Sequence, residues 1–109
     1  MVRTALILAL LWAAPAVAET RTFTIDAELW SAPRTGAALV RMEPLREAVT
    51  ELMRRPGGHI VVRYPGGEAG QLWAQELRAW LVALGVASSR IELLPGGVAD
   101  DAVELQIVP

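Results

Sequence analysis

The chain has 109 residues, with ten basic side chains against twelve acidic ones, one His and no Cys. A formal net charge of −2 argues against nucleic acid or an anionic membrane as the main partner. Without Cys, neither a disulfide nor a thiolate metal site can stabilise a domain this small, so packing must do so.

Residues 1–18 read as a secretory signal peptide. Arg3 supplies an early positive charge, "TALILALLW" is a short apolar run, and "AAPAVA" ends in the small-x-small pattern Ala16-Val17-Ala18. The run is short for a bilayer span, and Pro15 interrupts its end. Cleavage is expected after Ala18. That leaves one small domain, residues 19–109, without a stable membrane anchor and located in the periplasm or secreted. It carries nine Arg against twelve acids.

"TFTIDAEL" (22–29) alternates Phe23, Ile25, Ala27 and Leu29 against Thr22, Thr24, Asp26 and Glu28, which predicts a half-buried strand. By the same alternation Trp30 falls on the polar side, where an exposed Trp would be a natural contact residue; a bulge would bury it instead. "SAPRTGAA" (31–38) reads as a loop. "EPLREAVTELMRR" (43–55) predicts a helix opened by Pro44, with an apolar stripe of Leu45, Ala48, Val49, Leu52 and Met53. Glu51 with Arg54 and Arg55 adds local ion pairs, and Pro56-Gly57-Gly58 stops the helix.

"HIVVRY" (59–64) is nearly all apolar and predicts an interior strand covered on both faces. The loop of "RYPGGEAGQLW" follows. "GQLWAQELRAWLVALG" (70–85) predicts the second long helix, with Trp73, Leu77, Trp80, Leu81 and Leu84 on one stripe, Arg78 opposite, and Gly85 as its stop. "RIELL" is the third strand. Pro95-Gly96-Gly97 and "VADD" make a loop, and "VELQIV" alternates as a last strand.

The order β-α-β-α-β-β predicts an α+β domain, a two-layer α/β sandwich with two helices packed on one face of a mixed sheet and a hairpin-like pair closing the chain. Pro-Gly-Gly occurs at 56–58, 65–67 and 95–97, always at an element boundary. Its simplest meaning is a turn signal.

With these landmarks the chain resembles the OmpA-like peptidoglycan-binding domain of Gram-negative envelope proteins. Four pieces carry the resemblance: Pro56 ending the first long helix, "GGHIVVRYPGGEAG", "LVALGVASSRIEL" and "DDAVELQIV". In that family an Asp in the loop after the second strand and an Arg on the second helix hold the charged end of diaminopimelate. Placed without gaps, the family's Gly-His-Thr-Asp falls on Tyr64, Pro65, Gly66 and Gly67, and its later Gly on Gly70. The Asp position is therefore Gly67, with Glu68 one place out of register. Counting back from Gly85, the Arg position is Trp73, and Arg78 lies one turn too late. The wall-binding pair is not intact.

Three functions follow. One is an exported, non-enzymatic OmpA-like binding or accessory module acting through Trp30 and the loops at 31–36, 64–70 and 95–101, with peptidoglycan or an envelope protein as the candidate partners. A second is peptidoglycan binding through a substituted pair, Glu68 and Arg78, with Arg63 or Tyr64 contributing. A third is a small anion-binding protein or hydrolase using Glu68 and His59. Glycines before a helix can cradle an anion, but "YPGGEAG" matches no phosphate-loop or dinucleotide fingerprint, and Glu68 would repel the ligand. The lone His has no recognisable catalytic set around it. No cofactor, metal or catalytic residue is expected. The contact candidates are Trp30, Tyr64, Gly67, Glu68 and Arg78.

Overall fold

The computed structural model describes residues 19–31 and 35–109, so the signal-peptide segment lies outside the described residues. Strand β1 spans Arg21–Asp26, with Phe23 and Ile25 turned inward. It ends earlier than alternation predicts because the Asp26 carboxylate accepts a hydrogen bond from the Leu29 N–H at 2.7 Å. That caps helix α1, Ala27–Trp30. The helical turn swings Trp30 inward. It is 7% exposed and stacks on Trp73 with ring centroids 6.1 Å apart. Trp30 is thus a core residue and not a contact on a polar strand face.

Residues 32–34 of the stretch expected as a loop lie outside the described residues, and its last three residues open a helix instead, α2, Gly36–Arg41. Its cap is Thr35, whose Oγ1 accepts from the Ala38 N–H at 3.0 Å. Helix α3, Glu43–Met53, carries Pro44 in its first turn and buries Leu45, Ala48 and Leu52. Val49 is half-buried and Met53 is 49% exposed, so the buried stripe is narrower than predicted. Strand β2 spans His59–Tyr64. Helix α4, Glu68–Ala83, begins two residues before the expected start. A 3-10 turn at Ser88–Arg90 leads into β3, Ile91–Pro95, and β4 spans Ala102–Val108.

The sheet order is β1-β4-β2-β3. β4 runs antiparallel to both β1 and β2, and β2 runs parallel to β3. The α+β class, the mixed sheet and the packing of helices on it are as expected, although four helices are described rather than two. The closing hairpin is not formed, since β4 enters between β1 and β2. Residues 96–101 carry the chain over β2, and crossing two strand spacings of about 4.8 Å each is within reach of six residues.

The side chains of Phe23, Ile25, Ile60, Val62, Val103, Leu105 and Ile107 form one apolar sheet face. They pack with Leu39, Leu45, Leu52, Leu77 and Leu81 of the helices. Among the described residues, the members of this core run from Phe23 to Ile107. β2 is interior, as expected, and Ile60, Val61 and Val62 are all buried. Val61, on the opposite face from Ile60 and Val62, is outside the core cluster and is shielded to 8% exposure beside its register partners Gln106 and Glu92.

One side chain ties the two layers together. The Arg90 Nε donates to the Gly58 carbonyl at 2.9 Å, and its Nη2 donates to the carbonyls of Leu52 and Arg55 at 3.0 and 2.7 Å. These carbonyls lie at the end of α3 and in its turn, and those of Leu52 and Arg55 also accept from the N–H groups of Arg55 and Gly58. Gly58 must be Gly here, because a Cβ would sit 2.8 Å from the Val108 carbonyl oxygen. We expect Arg90→Ala to lower stability by about 2–3 kcal/mol, since hydrogen bonds from a charged donor are lost at a half-buried site. In thermal unfolding the Tm should fall by roughly 10 °C or more. Arg90→Lys should recover little, because an ammonium lacks the planar fork.

Candidate functional site

The β2–α4 loop is built by glycine for reasons of architecture. Gly67 has φ 93°, a left-handed conformation open to glycine at little cost, and it is the N-cap of α4. Gly70 lies so close to the preceding loop that a Cβ would meet the Pro65 carbonyl oxygen at 1.8 Å. Pro65 is itself buried. The Tyr64 carbonyl accepts from the Gly96 N–H at 2.8 Å, which joins this Pro-Gly-Gly to the one after β3.

The contact candidates are dispersed around this turn. Tyr64 is half-buried and packs against the core. Gly67 offers backbone only. Glu68 is exposed in the first turn of α4, where its charge suits the helix dipole. Arg78 is half-buried on the same helix. Ten residues of helix separate the two by about 15 Å along the axis, and no described residue forms an ion pair with either. They do not converge on one cleft. The Arg63 guanidinium reaches under the other loop, with Nη1 3.5 Å from the Cβ position of Gly97. His59 is exposed at the opposite end of β2 from the loop. It is thereby separated from Glu68 by the length of a six-residue strand, about 17 Å or more.

A second region, unmarked in the sequence beyond its local ion pairs, holds more charge chemistry. A shallow cleft of about 290 Å³ lies between β1 and α3, lined by Arg21, Phe23, Arg46, Glu47, Thr50, Glu51 and Arg54. Glu51 sits at its floor with a side chain only 12% exposed. Arg21 Nη1 donates to its Oε1 at 2.9 Å, and Arg55 Nε donates to its Oε2 at 3.0 Å. Arg54 is 3.8 Å away. Arg55 also donates from Nη1 to the Ile107 carbonyl at 2.9 Å, linking the cluster to β4. The missed partner is Arg21, thirty residues away in the chain. It also lies 5.1 Å over the Phe23 ring.

Partial burial alone would raise the Glu51 pKa, but the hydrogen bonds and charges of Arg21 and Arg55 outweigh it and hold the carboxyl below its ordinary 4.5. The unfolded chain therefore takes up this proton first as pH falls. The stabilisation is complete above the unfolded value and is lost as pH drops through the lower folded value.

Among the described residues no group of three or more His, Asp or Glu is placed to hold a metal ion, and no helix is long and apolar enough to cross a membrane. Compared with protein-family models and with curated proteins, the chain matches no family and no curated protein.

Two outcomes are expected. Gly70→Ala should destabilise by at least about 2 kcal/mol, because backbone must move to admit the methyl. Gly66→Ala, where nothing lies within 4 Å of the new Cβ, should stay within about 0.5 kcal/mol of wild type in the same denaturant titration. Separately, Tm measured from pH 6 downward should fall below about pH 4.5, and the fall should be shallower in Glu51→Gln, which has no proton to take up there.

Proposed function

We propose that the chain is an exported, non-enzymatic binding or accessory module of the cell envelope. It is OmpA-like in its order of elements but does not keep that family's wall-binding pair. The observation that supports this reading is the placement of Glu68 and Arg78. They are the residues offered as substitutes for the pair, yet they sit on one helix about 15 Å apart along its axis. One wall-peptide end cannot be gripped by both. Export is proposed from the signal-peptide pattern of residues 1–18, and a binding rather than catalytic role from the separation of His59 and Glu68.

Two experiments test the reading. After expression with its own N-terminus, the chain should appear in the periplasmic fraction with the intact mass of residues 19–109. Retention in the cytoplasm with residues 1–18 still attached would contradict export. In sedimentation with purified peptidoglycan at physiological salt, residues 19–109 should remain in the supernatant, and Glu68→Ala and Arg78→Ala should behave like wild type. Co-sedimentation that both substitutions abolish would mean that the two residues form a rewired wall site.

A further inference from the structure

Helix α3 separates two depressions. On one side is the charged cleft described above. On the other is an apolar groove of about 240 Å³ formed by Leu39 and Val40 of α2, Val49 of α3 and Leu84 after α4. Arg46 and Thr50 line both, so they are a shared rim. Arg46, Thr50 and Arg54 recur at i, i+4 and i+8, a row along one side of the helix. A ligand crossing this rim meets apolar surface first and a row of cationic and hydroxyl donors second.

The cations of that row are available. The Arg46 side chain has no ion-pair partner among the described residues. Arg54 is 70% exposed, and its ion pair with Glu51 is long at 3.8 Å. Glu51 itself is held by Arg21 and Arg55. Glu47 is the remaining carboxylate in the cleft, and the three lining arginines outnumber the two acids. This local excess stands out in a chain with a sequence pI near 5.3. The apolar side is equally unspent. Val40 is 50% exposed, and Met53, one turn beyond Val49, is 49% exposed. The two depressions, of about 290 and 240 Å³, meet at the rim formed by Arg46 and Thr50.

We propose that this side of α3 binds a fatty acid, its tail along the Leu39–Val49–Leu84 groove and its carboxylate over the Arg46–Thr50–Arg54 row. The charge complementarity selects an anionic head, and the groove selects an alkyl tail. The proposal rests on the reading of the domain as a binding module and gives that module a ligand class.

The test uses residues 19–109 and dodecanoate below its micellar concentration, followed by amide NMR. Saturable shifts should cluster at Val40, Arg46, Val49, Thr50 and Arg54. Butyrate and dodecyltrimethylammonium should each bind at least about tenfold more weakly, and Arg46→Ala and Val40→Glu should weaken dodecanoate by about tenfold. Both substitutions are at rim or exposed positions, and an unchanged spectrum away from α3 shows that the variants fold. The proposal is overturned if the cationic amphiphile binds as well as dodecanoate. Shifts centred on 66–71, or no shifts at millimolar ligand, would also overturn it. So would binding to anionic phospholipid vesicles without binding to monomeric dodecanoate, which would make the surface a membrane contact. An exported protein indifferent to dodecanoate would sink this proposal alone. A protein that binds dodecanoate but is never exported would sink the envelope reading instead.

Discussion

The guanidinium of Arg90 is the point on which the two layers of this domain meet. Three carbonyls, those of Leu52, Arg55 and Gly58, converge on two of its nitrogens. The Leu52 and Arg55 carbonyls also accept from the backbone N–H groups of Arg55 and Gly58, so Arg90 adds a second, charged donor to each. Because Arg90 immediately precedes β3, the contact ties the first long helix to an edge strand more than thirty residues later. Gly58 lets the same turn press against the end of β4, and Arg55 reaches the Ile107 carbonyl from the other side. Helix α3, β2, β3 and β4 are thus fixed at one corner. A chain with no disulfide and few residues to bury needs such a corner.

At the far end of β2 the chain uses glycine to turn into α4. Gly67 takes a positive φ as α4 starts. The third glycine of the loop, Gly70, is demanded by the Pro65 carbonyl. Pro65 and Gly70 anchor the loop at its two ends, while residues 66–69 between them stay exposed. The charge chemistry gathers instead beside the β1 edge of the sheet, along α3, where Arg46, Arg54, Glu47 and Glu51 share a cleft with Arg21 of β1. The site proposed for a ligand therefore lies on the helix that Arg90 anchors.

Much of the architecture was legible in the residues. Alternation in 103–108, the apolar run 59–64 and the stripe through Leu77 and Leu81 each gave the right kind of element, because burial on one face imposes a period. What failed were residues that serve two local roles. Asp26 continues the strand alternation but is also an N-cap, and its hydrogen bond to Leu29 turned the expected strand end into α1 and buried Trp30. Thr35-Gly36 reads as a turn but caps α2. Strand neighbours were beyond reach for a different reason: period reports which face is buried, not which strand lies alongside, so β4's entry between β1 and β2 left no local trace. The same holds for Arg21 and Arg90, whose partners lie 30 to 38 residues away. In the candidate site, the i, i+4 pairing of Glu51 with Arg55 was visible, whereas the separation of Glu68 from Arg78 became evident only when α4 was seen to start at Glu68.

Native-state hydrogen exchange compared between wild type and Arg90→Ala tests the central claim most directly. If the Arg90 corner holds both layers, slowly exchanging amides of β2, β4 and α3, including Ile60, Val62, Leu105 and Leu52, should all lose protection by a similar factor, because they open together. Loss confined to the last turn of α3, with the sheet amides unchanged, would show that Arg90 is only a local cap and that the layers hold together without it.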